Sequence, residues 1–143
     1  MITYKWIVGI DGDLADAHYI RRVVFMDEQN VPLHEEMIPW EDEISQHLVL
    51  YLDGKPAATG RIFIKDKDFI LQRIAVLKEY RSKGFGKLIT QQLIDGCKKL
   101  GANKITLSSQ THAIGFYGQF GFKGYTDEYM DAGIPHISMK LIF

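Results

Sequence analysis

Cysteine is almost absent from this sequence of 143 residues, which contains only Cys97. A single cysteine cannot form an intramolecular disulfide, and this favours a reducing compartment such as the cytoplasm. The five histidines do not show the spacing of a metal site, and one cysteine cannot supply a zinc ligand set. We therefore expect no bound metal.

Long apolar runs and an excess of one charge are also missing. No stretch approaches the length needed to cross a bilayer, and residues 1–6 lack the basic start and apolar core of a signal peptide. The net charge of −1 and the lack of an aromatic and basic array argue against membrane and nucleic-acid partners. Without repeats or linkers, residues 1–143 are expected to form one domain, as a monomer or a homodimer.

The charges that are present lie unevenly along the chain. Residues 27–43 contain seven carboxylates and no Lys or Arg, whereas residues 78–104 contain seven basic residues and two acidic ones. A basic segment suits a polyanionic ligand and an acidic segment suits a cationic amine. For any one of these residues, the alternative is a charge that simply faces solvent.

Hydrophobic periodicity predicts strands that alternate with helices. Strands are predicted at 2–8, 46–52, 55–65, 69–77, 103–109, 123–126 and 136–142. Helices are predicted at 13–28, 84–100 and 112–120, while residues 30–43 are predicted to form a loop or a short helix. The Asp53-Gly54 pair predicts a hairpin, and Gly133-Ile134-Pro135 predicts the last turn. This pattern indicates a mixed α/β fold.

A glycine turn, Arg81-Ser82-Lys83-Gly84-Phe85-Gly86, separates the strand predicted at 69–77 from the helix predicted at 84–100. Backbone N–H groups at a helix N-terminus are unpaired and partly positive, so they can hold an anion. The two glycines let phosphate oxygens approach the backbone closely. The spacing matches neither the P-loop nor the dinucleotide fingerprint, and the alternative is an ordinary helix start.

A second segment, Gln110 to Phe122, follows the strand predicted at 103–109. Together the two segments resemble the GNAT superfamily of acyl-CoA-dependent N-acetyltransferases. The family motif Gln/Arg-x-x-Gly-x-Gly/Ala is matched by Arg81, Gly84 and Gly86. The later motif, Asn-x-x-Ala-x-x-Phe-Tyr-x-x-x-Gly-Phe, is matched at Ala113, Phe116, Tyr117, Gly121 and Phe122, with Gln110 where Asn is usual. Residues 25–32 resemble the YjcF/ElaA-like branch of the family.

This resemblance implies a fold, a cofactor and its contacts. The implied fold is one α/β domain with a mixed, mostly antiparallel sheet of six or seven strands and about four helices. The implied co-substrate is acetyl-CoA, with its pantetheine arm along the backbone of the strand before the glycine turn and its pyrophosphate at the turn. The residues carried over are Ile74, Ala75, Val76, Arg81, Ser82, Lys83, Gly84, Phe85, Gly86 and Gln110.

The resemblance also implies that Tyr117 is the general acid that protonates the departing thiolate. A phenol is protonated at neutral pH, and the alternative is a core aromatic residue. The acceptor amine must lose a proton before it attacks. Glu28 is the catalytic candidate for this role, and Glu28, Glu36 and His136 are the candidates for binding the amine. His47 and His136 are further candidates for the base, and a bracing role for Glu28 remains the alternative.

The sequence therefore predicts an acyltransferase that moves acetyl from acetyl-CoA directly to an amine, with a small metabolite as the acceptor. A protein lysine or N-terminal acetyltransferase and a non-catalytic acyl-CoA sensor are the alternatives. A closed pocket roofed by residues 30–43 would favour a metabolite, and an open groove would favour a protein.

Overall fold

The computed structural model describes residues 1–143, which form eight strands and five α-helices with short helical extensions. The strands are β1 (Ile2–Val8), β2 (Ser45–Leu52), β3 (Lys55–Lys65), β4 (Asp68–Val76), β5 (Lys104–Gln110), β6 (Lys123–Gly124), β7 (Tyr129–Asp131) and β8 (Ile134–Ile142). The α-helices are α1 (Ala15–Arg21), α2 (Leu33–Glu36), α3 (Pro39–Glu43), α4 (Phe85–Lys99) and α5 (Ile114–Gly118). No helix is both long and apolar enough to span a membrane.

One sheet contains all eight strands, in the order β1-β2-β3-β4-β5-β8-β6, with β7 also paired to β8. Every pair is antiparallel except β4 with β5. The mixed, mostly antiparallel fold is confirmed, with eight strands in place of six or seven. The additional strand arises because the last turn is Ala132-Gly133, both at positive φ, so that Ile134 and Pro135 already belong to β8.

Apolar clusters cover both faces of the sheet. Helix α4 buries Phe85, Ile89 and Leu93 against one face. Helix α1 and the segment after it bury Ala17, Ile20 and Val24 against the other. The predicted helix at 13–28 begins later, at Ala15, and its second half, Arg22–Glu28, is π-helical.

A buried ion-pair cluster joins α1, α3 and β3 beneath the acidic segment. Arg21 and Arg61 are each 1% exposed, and each donates a 2.7 Å hydrogen bond to Oδ1 of Asp42. Burial alone would raise the pKa of Asp42, but the hydrogen bond from His18 and the charges of Arg21 and Arg61 hold that pKa well below its usual range. Part of the acidic run therefore has a structural role instead of facing solvent.

Strands β4 and β5 pair over only three residues, from Phe69–Ile105 to Leu71–Leu107. Beyond Leu71 the two strands separate, although β4 still pairs with β3 as far as Val76. A β-bulge in β4 sets Arg73 and Ile74 opposite the single residue Gly60 of β3, and Arg73 has a φ of +58°. The separation leaves the end of β4 with an unpaired backbone edge, which faces a cleft.

Candidate active site

The cleft between the ends of β4 and β5 has a volume of about 690 Å³. The π-helical segment and α2 line it on one side, and β8 and the turn before it line it on another. Ten of the fourteen site residues proposed from the sequence are among its lining residues. These ten are Glu28, Glu36, Ile74, Ala75, Val76, Arg81, Gly86, Gln110, Tyr117 and His136.

The glycine turn at the start of α4 presents unpaired backbone donors. The six N–H groups of residues 82–87 make no hydrogen bond within the chain, since the first helical bond runs from the N–H of Leu88 to the carbonyl of Gly84. Ser82 and Gly84 have φ values of +63° and +82°. Alternating left-handed residues turn successive N–H groups toward one concavity, which suits an anion. We call residues 82–87 the anion nest.

Arg81 and Glu28 form a two-bond ion pair at the edge of the cleft. The Arg81 Nη atoms donate to the two carboxylate oxygens of Glu28 at 2.9 and 2.8 Å. Arg81 Nε also donates to the carbonyl of Val76 at 3.0 Å, so this carbonyl faces the cleft. Two residues with separate expected roles, one at the phosphates and one at the amine, therefore bind each other in the free protein.

Gln110 makes a second contact between the two sides. Its Nε2 donates to Oε1 of Gln29 at 2.9 Å, and its Oε1 accepts from Nε2 of His112 at 2.7 Å. Both ends of the amide are therefore engaged at the last residue of β5, which is the first position of the second motif.

Tyr117 lies on α5, in edge contact with Phe116 and Phe122 at ring-centroid distances of 5.1 and 6.2 Å. Burial raises the pKa of Tyr117 to about 12. Its hydroxyl has no hydrogen-bond partner within the chain and is not sealed from solvent. The phenol is therefore protonated at neutral pH and is free to donate to a group in the cleft.

Glu36 lines the cleft beside two arginines, and the expectation that it binds the amine stays a prediction. Its carboxylate is 1% exposed and lies 2.8 Å from Arg21 Nε and 3.1 Å from Arg73 Nε. The two guanidinium groups compete with any cationic ligand for this carboxylate. Glu36 also pairs with Arg73, a cleft residue that the sequence analysis missed because a β-bulge leaves no clear pattern in hydrophobic periodicity.

Four of the proposed cofactor-binding residues are not among the lining residues of the cleft, namely Ser82, Lys83, Gly84 and Phe85. The Phe85 ring is 6% exposed and belongs to the core, so only its N–H is available to an anion. A Cβ built on Gly84 would meet no atom within 4 Å, so the positive φ, and not a lack of space, favours glycine there. Gly86 lies against the ring of Phe116, 3.4 Å from where a Cβ would be.

His47 and His136 occupy contrasting positions. His47 is 1% exposed, does not line the cleft, and donates from Nε2 to the carbonyl of Asp42 at 3.0 Å. Burial lowers the pKa of His47, although the nearby Asp42 opposes this. His136 lies on β8 at the cleft, with its Nδ1 2.7 Å from the carbonyl of Ile134.

No group of three or more His, Cys, Asp or Glu side chains is arranged to hold a metal ion. Cys97 is fully buried on the inner face of α4, and burial raises the pKa of its thiol to about 12. A thiol with so high a pKa is a poor nucleophile at neutral pH. Cys97 is therefore part of the core.

Residues 20–143 match the family profile described as an acetyltransferase (GNAT) domain. The chain belongs to the GNAT family of acetyltransferases, and it is an acyltransferase enzyme. Its relatives include "Uncharacterized N-acetyltransferase YjcF" of Bacillus subtilis strain 168, which is 43% identical over 127 residues, or 88% of this chain and 90% of the relative.

Solved structures share the fold. The crystal structure of Escherichia coli ElaA has a TM-score of 0.87 and 24% identity, covering 98% of this chain and 99% of ElaA. A GNAT acetyltransferase from Elizabethkingia anophelis, solved with acetyl-CoA bound, has a TM-score of 0.74 and 11% identity, covering 99% of this chain and 98% of that one. The resemblance to the GNAT family and to its YjcF/ElaA-like branch is confirmed.

Proposed function

We propose that this chain transfers the acetyl group of acetyl-CoA directly to the amine of a small metabolite, as a single-domain enzyme. The observation that carries the proposal is the cleft, which has an anion nest near one side and a free, protonated phenol in its lining. The anion nest suits the pyrophosphate of coenzyme A, and the protonated phenol suits the departing thiolate. The membership of the GNAT family supports the use of coenzyme A.

In this proposal the backbone of residues 82–87 holds the pyrophosphate, with positive charge from Arg81 and Lys83. The carbonyl of Val76 already faces the cleft, and residues two apart on a strand share an edge. Ile74 and Val76 therefore offer their backbone groups to the amide-rich pantetheine arm, with Ala75 between them. Gln110 lies on the opposite wall. A backbone donor aimed at the thioester oxygen would stabilise its developing negative charge by roughly 3–4 kcal/mol.

Tyr117 is proposed as the general acid. When the carbon–sulfur bond breaks, the thiolate takes the phenolic proton and leaves as a thiol. The raised pKa of Tyr117 means that the phenol is fully protonated before transfer, and that the phenolate must regain a proton quickly afterwards.

Glu28 is proposed to attract the cationic amine to the cleft. Its carboxylate is neutralised by Arg81 in the free protein. A phosphate bound near Arg81 would compete for that guanidinium and leave Glu28 available to the amine. Glu36 contributes indirectly, since it fixes Arg73 at the cleft.

A metabolite is favoured over a protein because part of the segment 30–43 lines the cleft. Its lining residues are Val31, Glu35 and Glu36. The free hydroxyl of Tyr117 favours an enzyme over an acyl-CoA sensor.

The test is calorimetric titration of the chain with acetyl-CoA, with NAD and ATP as controls, followed by thiol release with two acceptor sets. One set contains small primary amines and the other contains lysine-bearing peptides. Binding of acetyl-CoA alone, with thiol release by small amines, is the expected result. Release only with peptides would contradict the metabolite acceptor, and no binding of acetyl-CoA would contradict the proposal as a whole.

A further inference from the structure

We propose that His136 is the catalytic base, whose Nε2 takes the proton of the acceptor ammonium group before the nitrogen attacks the thioester. This inference rests on the proposed N-acetyltransferase function. It assigns to His136 the proton transfer that the sequence leaves open between Glu28, His47 and His136.

The hydrogen bond of His136 fixes its tautomer. Nδ1 lies 2.7 Å from the carbonyl oxygen of Ile134, and a carbonyl oxygen can only accept a hydrogen bond. Nδ1 must therefore carry the proton, and in the neutral ring Nε2 carries the lone pair. A backbone carbonyl that binds one imidazole nitrogen is the usual device for presenting the other nitrogen to a ligand.

The free nitrogen of His136 is open to the cleft. Nε2 has no hydrogen-bond partner within the chain, yet it is not among the buried polar atoms that lack one, so solvent can reach it. The residue as a whole is only 8% exposed. A base in this position meets a ligand in the cleft but is largely withdrawn from bulk water.

Neighbouring strands hold the ring in place. Tyr129 of β7 stacks on His136 with centroids 6.2 Å apart and an angle of 20° between the planes. The Tyr129 hydroxyl is itself hydrogen-bonded to Ser108 of β5 and Ser138 of β8. The imidazole therefore has its orientation set by a carbonyl at one edge and an aromatic ring on one face.

The other candidates are already engaged. In the free protein both carboxylate oxygens of Glu28 accept hydrogen bonds from Arg81, and a carboxylate released by a bound phosphate would favour the charged ammonium form of the amine. His47 is sealed in the core and uses its Nε2–H for the carbonyl of Asp42. His112 also lines the cleft and so is a further possible base, but it is exposed and its Nε2 donates to Gln110. His136 alone among these four combines burial at the cleft with a fixed, unpartnered nitrogen.

The proton balance is complete with these groups and water. The ammonium nitrogen gives one proton to Nε2 of His136, which passes it to solvent. The neutral amine then forms a nitrogen–carbon bond to the thioester carbonyl. The resulting intermediate loses a second proton from nitrogen, the carbon–sulfur bond breaks, and the thiolate takes a proton from Tyr117. Tyr117 is restored by the second proton, so one proton is released for each acetyl group transferred.

The first test does not depend on activity. Nitrogen-15 NMR of the full chain distinguishes the two imidazole tautomers, and the His136 signals are assigned by comparison with the His136→Asn variant. We expect neutral His136 to carry its proton on Nδ1. A proton on Nε2 would overturn the inference and would leave the proposed function untouched.

The second test uses two acceptors of the same length, a primary alkylamine and the matching O-alkyl hydroxylamine, which is neutral at neutral pH. His136→Asn keeps a donor near the Nδ1 position but lacks Nε2. Since general bases contribute about 10²–10⁴-fold, we expect kcat/KM to fall at least about 100-fold with the alkylamine and less than about 10-fold with the hydroxylamine. Equal losses with both acceptors, or no loss, would show that His136 is structural.

Two controls distinguish the loss of a catalytic base from a disturbed fold. His34 is exposed and does not line the cleft, so His34→Asn should leave both rates unchanged. Acetyl-CoA affinity by calorimetry should be the same in both variants and in the unaltered chain. Loss of acetyl-CoA binding in His136→Asn would indicate a disturbed fold, and imidazole added to His136→Ala then decides: recovery of alkylamine transfer supports the base, and no recovery rejects it.

Discussion

Two glycines have the same backbone conformation, but only one of them adjoins the proposed phosphate site. Substitutions at these two residues can therefore distinguish an effect on ligand binding from an effect on folding. Gly84 in the anion nest has a φ of +82° and Gly54 in the β2–β3 turn has a φ of +80°. A Cβ at either position would meet no atom within 4 Å. A substitution at either glycine therefore introduces similar backbone strain, and only Gly84 adjoins the proposed phosphate site.

We predict that Gly84→Glu weakens acetyl-CoA binding by at least about 100-fold, because it brings a negative charge to the donors of residues 82–87. Gly54→Glu should bind acetyl-CoA like the unaltered chain while losing similar stability, about 1–3 kcal/mol for an unfavourable backbone conformation. Calorimetric titration and urea unfolding of both variants measure the two effects. Equal affinities would contradict the nest as the phosphate site.

We predict that Tyr117→Phe lowers kcat by about 100-fold, within the range for general acids, and leaves the affinity for acetyl-CoA unchanged. Because the pKa of Tyr117 is raised to about 12, the phenol stays protonated throughout the alkaline range that enzymes tolerate. The pH profile of the unaltered enzyme should therefore show no fall from Tyr117 ionisation below about pH 11. An unchanged kcat in the variant would make Tyr117 a packing residue.

The sequence predicts some single-residue features and not others. The motif spacing identifies Tyr117 and the glycine turn, because both depend on residues close together in the chain. It does not predict the Arg81–Glu28 pair, which joins residues 53 positions apart. It also does not predict that Glu36 is buried, since a carboxylate in an acidic run is usually exposed.

At the scale of elements, α4 supplies the nest at its first turn and the core along its length. Leu93 lies at the middle of this helix and is 0% exposed. Its Cδ1 lies 2.5 Å from where Gly60 of β3 would carry a Cβ, so helix and sheet approach closely there. The strand and helix order was predictable because the repeat of apolar residues is strong in these elements, whereas the short α2 and α3 carry too few residues to show a period.

We predict that Leu93→Ala lowers the free energy of unfolding by about 2–5 kcal/mol, the usual range for a buried leucine. The nest lies at the first turn of α4, so acetyl-CoA affinity of the folded variant should remain within about threefold of the unaltered chain. Urea unfolding gives the first quantity and calorimetry the second. A large loss of affinity with little loss of stability would show that the packing of α4 tunes the nest directly.

At the scale of the whole molecule, the cluster of Arg21, Arg61 and Asp42 couples helices to the sheet and makes stability depend on pH. The pKa of Asp42 is lower in the folded chain than the ordinary value of about 4. Its contribution is therefore complete above about pH 5 and is lost as the pH falls toward the folded value. Acid should destabilise the protein through this carboxylate.

We predict that Asp42→Asn costs about 3–5 kcal/mol at pH 7, because it removes the carboxylate that two buried guanidinium groups share; Arg21 keeps its pair with Glu36, whereas Arg61 loses its closest carboxylate. The difference in unfolding free energy between this variant and the unaltered chain should shrink below pH 4. Asp27 is exposed and unpaired, so Asp27→Asn should change stability by less than about 0.5 kcal/mol. Denaturant unfolding at pH 7 and below pH 4 measures these values, and a difference that is independent of pH would reject the linkage.

Because β4 pairs with β5 over only three residues, part of this central strand is as exposed as an edge strand. Over residues 72–76, β4 has a neighbour on one side only. Amide protons on the open side should therefore exchange with deuterium as quickly as those of a sheet margin, although the strand lies in the middle of the order β1-β2-β3-β4-β5-β8-β6. Acetyl-CoA should slow that exchange at Ile74 and Val76 without altering the amides that face β3, because the proposed docking edge lies in the interior of the sheet.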